Sequence, residues 1–196
     1  SSLAKGAWDQ TGWIDPAATE SGVLGGTATS FNHPFFDSME NGEVYRSVRW
    51  DVAAYRLVVP NGTYKVTLQF CEPHYREKEK RVFGVKLEDN AVIENLDIFA
   101  RVGANTPLDV SCDTEVNDGR LDIDFVKQTE FPSIAGIVVE GTNFSQKINC
   151  GGEAYKDYGA DLKPLRAHPR ADDFYADWAL AEFGPEIATD AATIFS

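Results

Sequence analysis

The chain is poor in the residues that build metal, redox and disulfide centres. In 196 residues it holds three histidines (His33, His74, His168), three cysteines (Cys71, Cys112, Cys150) and one methionine. The histidines lie far apart and no Cys-x-x-Cys pair occurs, so neither a zinc site nor a disulfide scaffold is expected. Cys71 and Cys112 fall at the ends of alternating strand patterns, which suits small buried hydrophobes; a disulfide between two of the three stays open. Basic residues are also scarce. Eighteen Lys and Arg against 31 Asp and Glu leave a formal net charge of −13, which would repel a polyanion and argues against nucleic acid and anionic membrane as partners. No apolar run approaches bilayer-spanning length, and the opening "SSLAKGAWDQ" lacks a signal-peptide core, so a soluble chain whose export signal is absent or already removed is expected. There is no internal repeat, no low-complexity linker, no Ser-His-Asp order and no nucleophile elbow.

What is present is alternation. From residue 44 to 150 apolar residues recur with period two. Tyr64, Val66, Leu68 and Phe70 alternate with Lys65, Thr67 and Gln69 after a Pro60-Asn61-Gly62 turn, which reads as a hairpin. The pattern recurs with Leu108, Val110 and Cys112, an Asn117-Asp118-Gly119 turn, then Leu121, Ile123 and Phe125. "SIAGIVVEG" and "KINCGG" are further short strands. About nine such strands without intervening helices predict an all-β fold, an antiparallel two-sheet jelly-roll β-sandwich, over residues 1–152. After Gly152 the composition changes. Phe174, Tyr175, Trp178 and Ala181, then Ile187, Ala191 and Ile194, have helical spacing, so residues 153–196 are expected to form an extension with two short helices docked on the sandwich or on a neighbour.

The stretch "QFCEPHYREKEKRVFGVKL" is unusual for a loop between strands, because it opens with a proline, an imidazole and a phenol where tight turns use glycine and asparagine. The six charges of Arg76 to Arg81 that follow read as a solvated loop. Together "VPNGTYKVTLQFCEPHY", "RVFGVKLEDNAVIENLDIFARVG" and "DGRLDIDFVKQTEFPSIAGIVVEG" resemble the malectin and malectin-like family of carbohydrate-binding domains over roughly residues 8–141. The shared features are an NGxY hairpin, an F-x-E-x-[YF] strand end, a [KR]VFxVxxNG strand, a DIFxxVG segment and a closing P-x-[IV]-x-[AG]-[IL] strand.

That resemblance implies a lectin-like sandwich without enzymatic activity, holding an oligosaccharide or polysaccharide on aromatic loop residues. By position Trp50, His74 and Tyr75 stand where the family places sugar-facing rings, Glu130 lies near its sugar-binding acid, and Phe31 matches a further ring. Glu72 would add a carboxylate to the rim of the platform. A pyranose has flat C–H faces and a rim of hydroxyls, so rings edged by polar groups suit it. The departures are His74 and Trp50 in place of family tyrosines, and a first strand "xNAGG" that is missing before Trp8 but resembled by "KINCGG" at 147–152. The order is therefore either permuted, with 147–150 inside the sandwich, or cut across a domain boundary. The tail resembles segments attached to bacterial polysaccharide-degrading enzymes, so an accessory module of a secreted or periplasmic glycoside hydrolase, with a neighbouring catalytic domain, is expected. No cofactor and no metal are expected, with a structural calcium left open.

Two rivals stand beside this reading. A sandwich-fold glycosidase or lyase could use two carboxylates such as Glu72 and Glu130 as acid and base. Alternatively the sandwich only braces a larger enzyme, with its rings packed on the next domain. For Trp50, simple burial in the core is as good a reading as a ligand role.

Overall fold

The computed structural model describes residues 20–32, 36–37 and 39–165, together with the backbone of a strand pair, β1 (Trp8–Asp9) and β2 (Gly12–Trp13). The two helices expected around Phe174–Trp178 and Ile187–Ile194 lie outside the described residues, as do His33 and His168. One compact unit runs from Thr19 to Leu165.

Its strands are β3 (Gly22–Ser30), β4 (Ser47–Val58), β5 (Gly62–Phe70), β6 (Val82–Leu87), β7 (Asn90–Leu96), β8 (Leu108–Val116), β9 (Arg120–Thr129), β10 (Ser133–Ile134), β11 (Gly136–Gly141) and β12 (Phe144–Asn149). Among the described residues a 3-10 turn (Gly42–Arg46) precedes β4 and one α-helical turn, α1 (Ile98–Val102), follows β7, capped by the Asp97 side chain on the Ala100 N–H. All pairings between these strands are antiparallel. The first sheet joins β10, β4, β9, β6 and β7, with β3 along the other edge of β4; the second has the order β12-β11-β5-β8.

The alternation does what the side chains require. Val66, Leu68 and Phe70 of β5 face Leu57, Phe83, Val85, Leu121 and Ile123 of the opposite sheet in one continuous core, and each such side chain contributes roughly 1.5–3 kcal/mol on burial. Leu108, Val110 and Cys112 are only partly covered because β8 is a sheet edge.

Strand positions follow the sequence pattern, but two partnerships do not. The Pro60-Asn61-Gly62 and Asn117-Asp118-Gly119 turns do not close hairpins. Each carries the chain from one sheet to the other, β4 to β5 and β8 to β9. Both strands flanking each turn point their apolar face into the same core, and that face cannot tell an adjacent strand from one across the sandwich. The two crossings hold each other: Val59 N–H donates to the Gly119 carbonyl (3.0 Å) and Asn61 Nδ2 to the Asn117 carbonyl (2.9 Å). A two-residue hairpin does join β6 and β7, through Glu88 and Asp89, both with positive φ (49° and 64°), the twist such turns demand.

A smaller core covers the outer face of the second sheet. Phe36, Val44, Tyr45, Val138 and Tyr158 pack there around Gln69, whose amide donates to Tyr45 Oη (2.8 Å) and accepts from Tyr158 Oη (3.0 Å). Burial, and then the Asp109 carboxylate that accepts its hydroxyl at 2.6 Å, push Tyr45 well above the usual phenol range.

Past Gly152, where an extension was expected to begin, the chain stays with the body. Gly159 lies parallel to Ile148 of the edge strand β12, and Pro164 lies parallel to Val23 of the edge strand β3. Asp161 fixes this return. Its carboxylate accepts from Arg49 Nε (2.7 Å), Tyr55 Oη (2.8 Å), Gly151 N (2.6 Å) and Leu162 N (2.8 Å). The "KINC" segment is thus a paired edge strand, with Ile148 facing Ile137 of β11 and Cys150 sealed beneath it.

Candidate functional site

The loop after β5 is organised by one carboxylate. Glu72, 1% exposed, turns inward: Oε1 accepts the backbone N–H groups of His74 and Tyr75, both at 3.0 Å, and Oε2 accepts from Arg81 Nε at 2.7 Å. Two N–H groups taken from consecutive residues fold the loop back on itself and present the His74 and Tyr75 rings edge to face, centroids 4.7 Å apart and planes at 84°. Arg81 closes the arrangement from the other side, with its guanidinium carbon 5.1 Å from the Tyr75 ring centre. Beneath the loop, burial and then the Glu72 charge push the Cys71 thiol up to about 12, which leaves it inert; it is a free, buried hydrophobe.

The opposite wall comes from a fork in the first sheet. β9 pairs with β4 only as far as Asp124 opposite Ala54, then continues along β6 to Thr129. The upper half of β4 takes β10 instead, with Ser133 opposite Trp50. Residues Glu130, Phe131 and Pro132 bridge the fork. Glu130 adopts a left-handed backbone (φ 54°), the Pro132 carbonyl accepts from Asp51 N (2.9 Å), and the Phe131 carbonyl accepts from Arg81 Nη1 (2.5 Å). The phase of β4 is set by Ala53, an extra residue with no partner in β3, which lets Val52 and Tyr55 both enter the core although three positions apart. On the open side Trp50 tilts against Phe131 (5.7 Å between centroids), and its Nε1 donates to Thr29 Oγ1 (3.0 Å).

Between these walls lies a cavity of about 380 Å³ that brings together Phe31, Trp50, His74, Tyr75 and Glu130, five of the six residues singled out in the sequence. Glu72 is the exception. It was expected at the rim, but both its oxygens are engaged below the surface and it does not line the cavity. Arg81 and Phe131 were missed. Arg81 ends a charge run that resembles solvated loop, yet it is only 9% exposed because Glu72 and a carbonyl neutralise and hold it. Two larger cavities are less suited to a ring-shaped ligand. One of about 610 Å³ is lined by Glu88, Asp113, Glu115, Asp118 and asparagines with no aromatic ring; one of about 480 Å³ shares Phe31 and adds Tyr155 beside charged and amide groups. Among the described residues no cluster of His, Cys, Asp and Glu has the arrangement of a metal site.

Residues 19–138 match the family defined by the Malectin domain. The chain belongs to that family. Its members are carbohydrate-binding domains with a sandwich fold. Human Malectin is 30% identical over 133 residues, covering 66% of this chain and 45% of its own. Malectin-B of Xenopus laevis is 25% identical over the same length, covering 66% of this chain and 48% of its own. The chain thus spans about half the length of the curated malectins it matches. Two solved structures share the malectin-like fold. A Bacteroides uniformis beta-glucuronidase superposes with a TM-score of 0.55 at 22% identity, over 65% of this chain and 15% of the enzyme. The ANX2 ectodomain from Arabidopsis thaliana superposes with a TM-score of 0.53 at 14% identity, over 74% of this chain and 45% of that one. At these identities the likeness is one of fold. No helix among the described residues is long and apolar enough to cross a membrane.

Proposed function

We propose that this domain is a non-catalytic module that holds an oligosaccharide or polysaccharide in the Trp50–Tyr75 cavity and, in an extracellular or periplasmic setting, keeps an attached glycoside hydrolase on its substrate. The observation that carries the reading is the cavity itself: Phe31, Trp50, Tyr75 and Phe131 supply ring faces, with the Glu130 carboxylate and the Arg81 guanidinium at the edges, on strands and adjoining loops of a rigid sandwich. The similarity to part of a beta-glucuronidase chain and to a plant ectodomain supports the modular, extracellular setting. Against catalysis stands the chemistry of the two acids. Hydrolysis of a glycosidic bond generally needs two carboxylates free to face the sugar. Glu72 is fully engaged below the cavity, which leaves Glu130 alone.

Ring contacts contribute roughly 0.5–1.5 kcal/mol each beyond area burial, and rim hydrogen bonds a similar net amount. A few of each, less the entropy of association, give dissociation constants in the micromolar to millimolar range. Affinity gels over a polysaccharide panel, followed by calorimetry, test this directly. Trp50→Ala and Tyr75→Ala should weaken binding several-fold to tens of fold, and Glu130→Gln less than Glu130→Ala because the amide keeps an acceptor. If both ring variants are folded and bind as tightly as the original, the site is elsewhere.

A further inference from the structure

Arg81 does more than brace the loop. Its Nε serves Glu72 and its Nη1 serves the Phe131 carbonyl, but no acceptor among the described residues takes Nη2, and that nitrogen is not sealed from solvent. The residue is 9% exposed and lines the cavity. An amino group that lines the cavity with no acceptor from the protein is free to donate to one that arrives with a ligand in place of water.

We infer, resting on the sugar-binding reading, that the cavity takes an acidic sugar, a uronate whose carboxylate accepts from Arg81 Nη2 at the deep end while its hydroxyls reach Glu130 at the mouth. The cavity is polarised in that sense. Its deep cation is nearly buried and its free acid, Glu130, is exposed. A uronic pyranose is polarised likewise, with a carboxylate on one ring carbon and hydroxyls on the far side. A charged N–H of the guanidinium bonds a carboxylate oxygen more strongly than a neutral hydroxyl, because both partners are ionised.

The surroundings agree in sign. Arg76, whose Nη1 bonds to the Pro73 and Tyr75 carbonyls, and Lys127, whose Nζ stands 3.9 Å above the Phe131 ring, both contact residues of the cavity wall and have no acidic partner among the described residues. Arg81 and Glu130 are the charged residues that line the cavity, and Arg76 and Lys127 add positive charge just outside it, in a chain whose net charge is −13. These two flanking cations would draw an anionic ligand, an attraction that weakens with added salt.

The test compares free-acid glucuronan and polygalacturonate with their methyl-esterified and carboxyl-reduced forms, which keep the ring and lose the charge. The original protein should prefer the free acid by on the order of tenfold, with a preference that shrinks as salt rises. Arg81→Lys keeps a cation beside Glu72 but loses the planar edge, and should bring the acid-to-ester ratio towards one. A merely structural role for Arg81 would weaken both forms equally and leave the ratio unchanged. Equal binding of acid and ester by the original protein overturns the inference even if Arg81→Lys does not fold. So does binding to neutral glycans alone; if Trp50→Ala abolishes that binding, the sugar-site reading survives. If no polymer of the panel responds to Trp50→Ala, that reading falls as well.

Discussion

Replacing Glu72 by glutamine removes one oxygen and the charge while keeping the shape, so it isolates what the carboxylate does. In the native loop its oxygens take three N–H groups, from His74, Tyr75 and Arg81. Glutamine retains one acceptor for the two backbone groups but points an NH₂ at Arg81 Nε, donor against donor. The guanidinium then stays nearly buried with only the Phe131 carbonyl for company. Breaking a buried pair by removing one partner costs about 3–5 kcal/mol, and the partial solvent access of Arg81 places this case near the lower end, about 3 kcal/mol. For a body running from Thr19 to Leu165 each kcal/mol shifts Tm by roughly 2–4 °C, so a fall of about 6–12 °C is expected. A thermal melt measures the fall, and urea unfolding followed by tryptophan fluorescence measures the loss of free energy. A double-mutant cycle with Arg81→Gln should return a coupling of at least about 1 kcal/mol. A Glu72→Gln protein within about 1 kcal/mol of the original, or strictly additive single variants, would refute the pairing as the organiser of the loop.

Asp161→Ala should cost at least about 3 kcal/mol in the same urea assay, because Arg49, Tyr55 Oη and two backbone N–H groups lose their acceptor together, and Asp161→Asn should cost less. Glu88 is raised above the usual carboxylate range, chiefly by burial and despite the Asp122 N–H it accepts, so its ionised form opposes folding. A carboxyl with a raised folded pKa contributes most at low pH, and that contribution is lost as pH rises through the unfolded and then the folded value. Glu88→Gln should therefore melt higher than the original at pH 7, with the difference closing below about pH 4; a difference that does not change with pH would contradict the burial argument.

Much of this architecture is legible in the chain because period-two alternation reports which face of a strand is buried. Tyr64 to Phe70 and Leu121 to Phe125 point inward as their spacing demands. Alternation is silent on partners, however, so two sheet-to-sheet crossings read as hairpins. The return of residues 153–165 was invisible for a related reason: its attachment depends on one carboxylate, Asp161, and on backbone pairing, neither of which leaves a periodic trace. Trp50 and Phe31 were placed only by the family resemblance, whereas His74 and Tyr75 could be picked out because an imidazole and a phenol are unusual at the start of a loop between strands. Arg81 could not, since a buried arginine inside a run of charges looks like its solvated neighbours until its partner is seen nine residues upstream at Glu72. Trp50 is not sealed in the core: it is half-buried against Phe131 and also lines the cavity.

The parallel contact between Pro164 and Val23 also has a mechanical side. The two ends of the body meet there, where Val23 N–H donates to the Lys163 carbonyl at 3.0 Å and Leu165 N–H donates to the Val23 carbonyl at 2.9 Å. Because the two segments run in the same direction, tension applied through residues 20 and 165 would pull them past each other and load both bonds at once. A peeling hairpin, by contrast, yields its bonds one at a time. A domain tethered to a fixed polymer at one point and dragged by its own chain at another would then fail in a single high-force step, visible as one rupture peak in single-molecule extension; a gradual, low-force lengthening would show that this clasp carries no load.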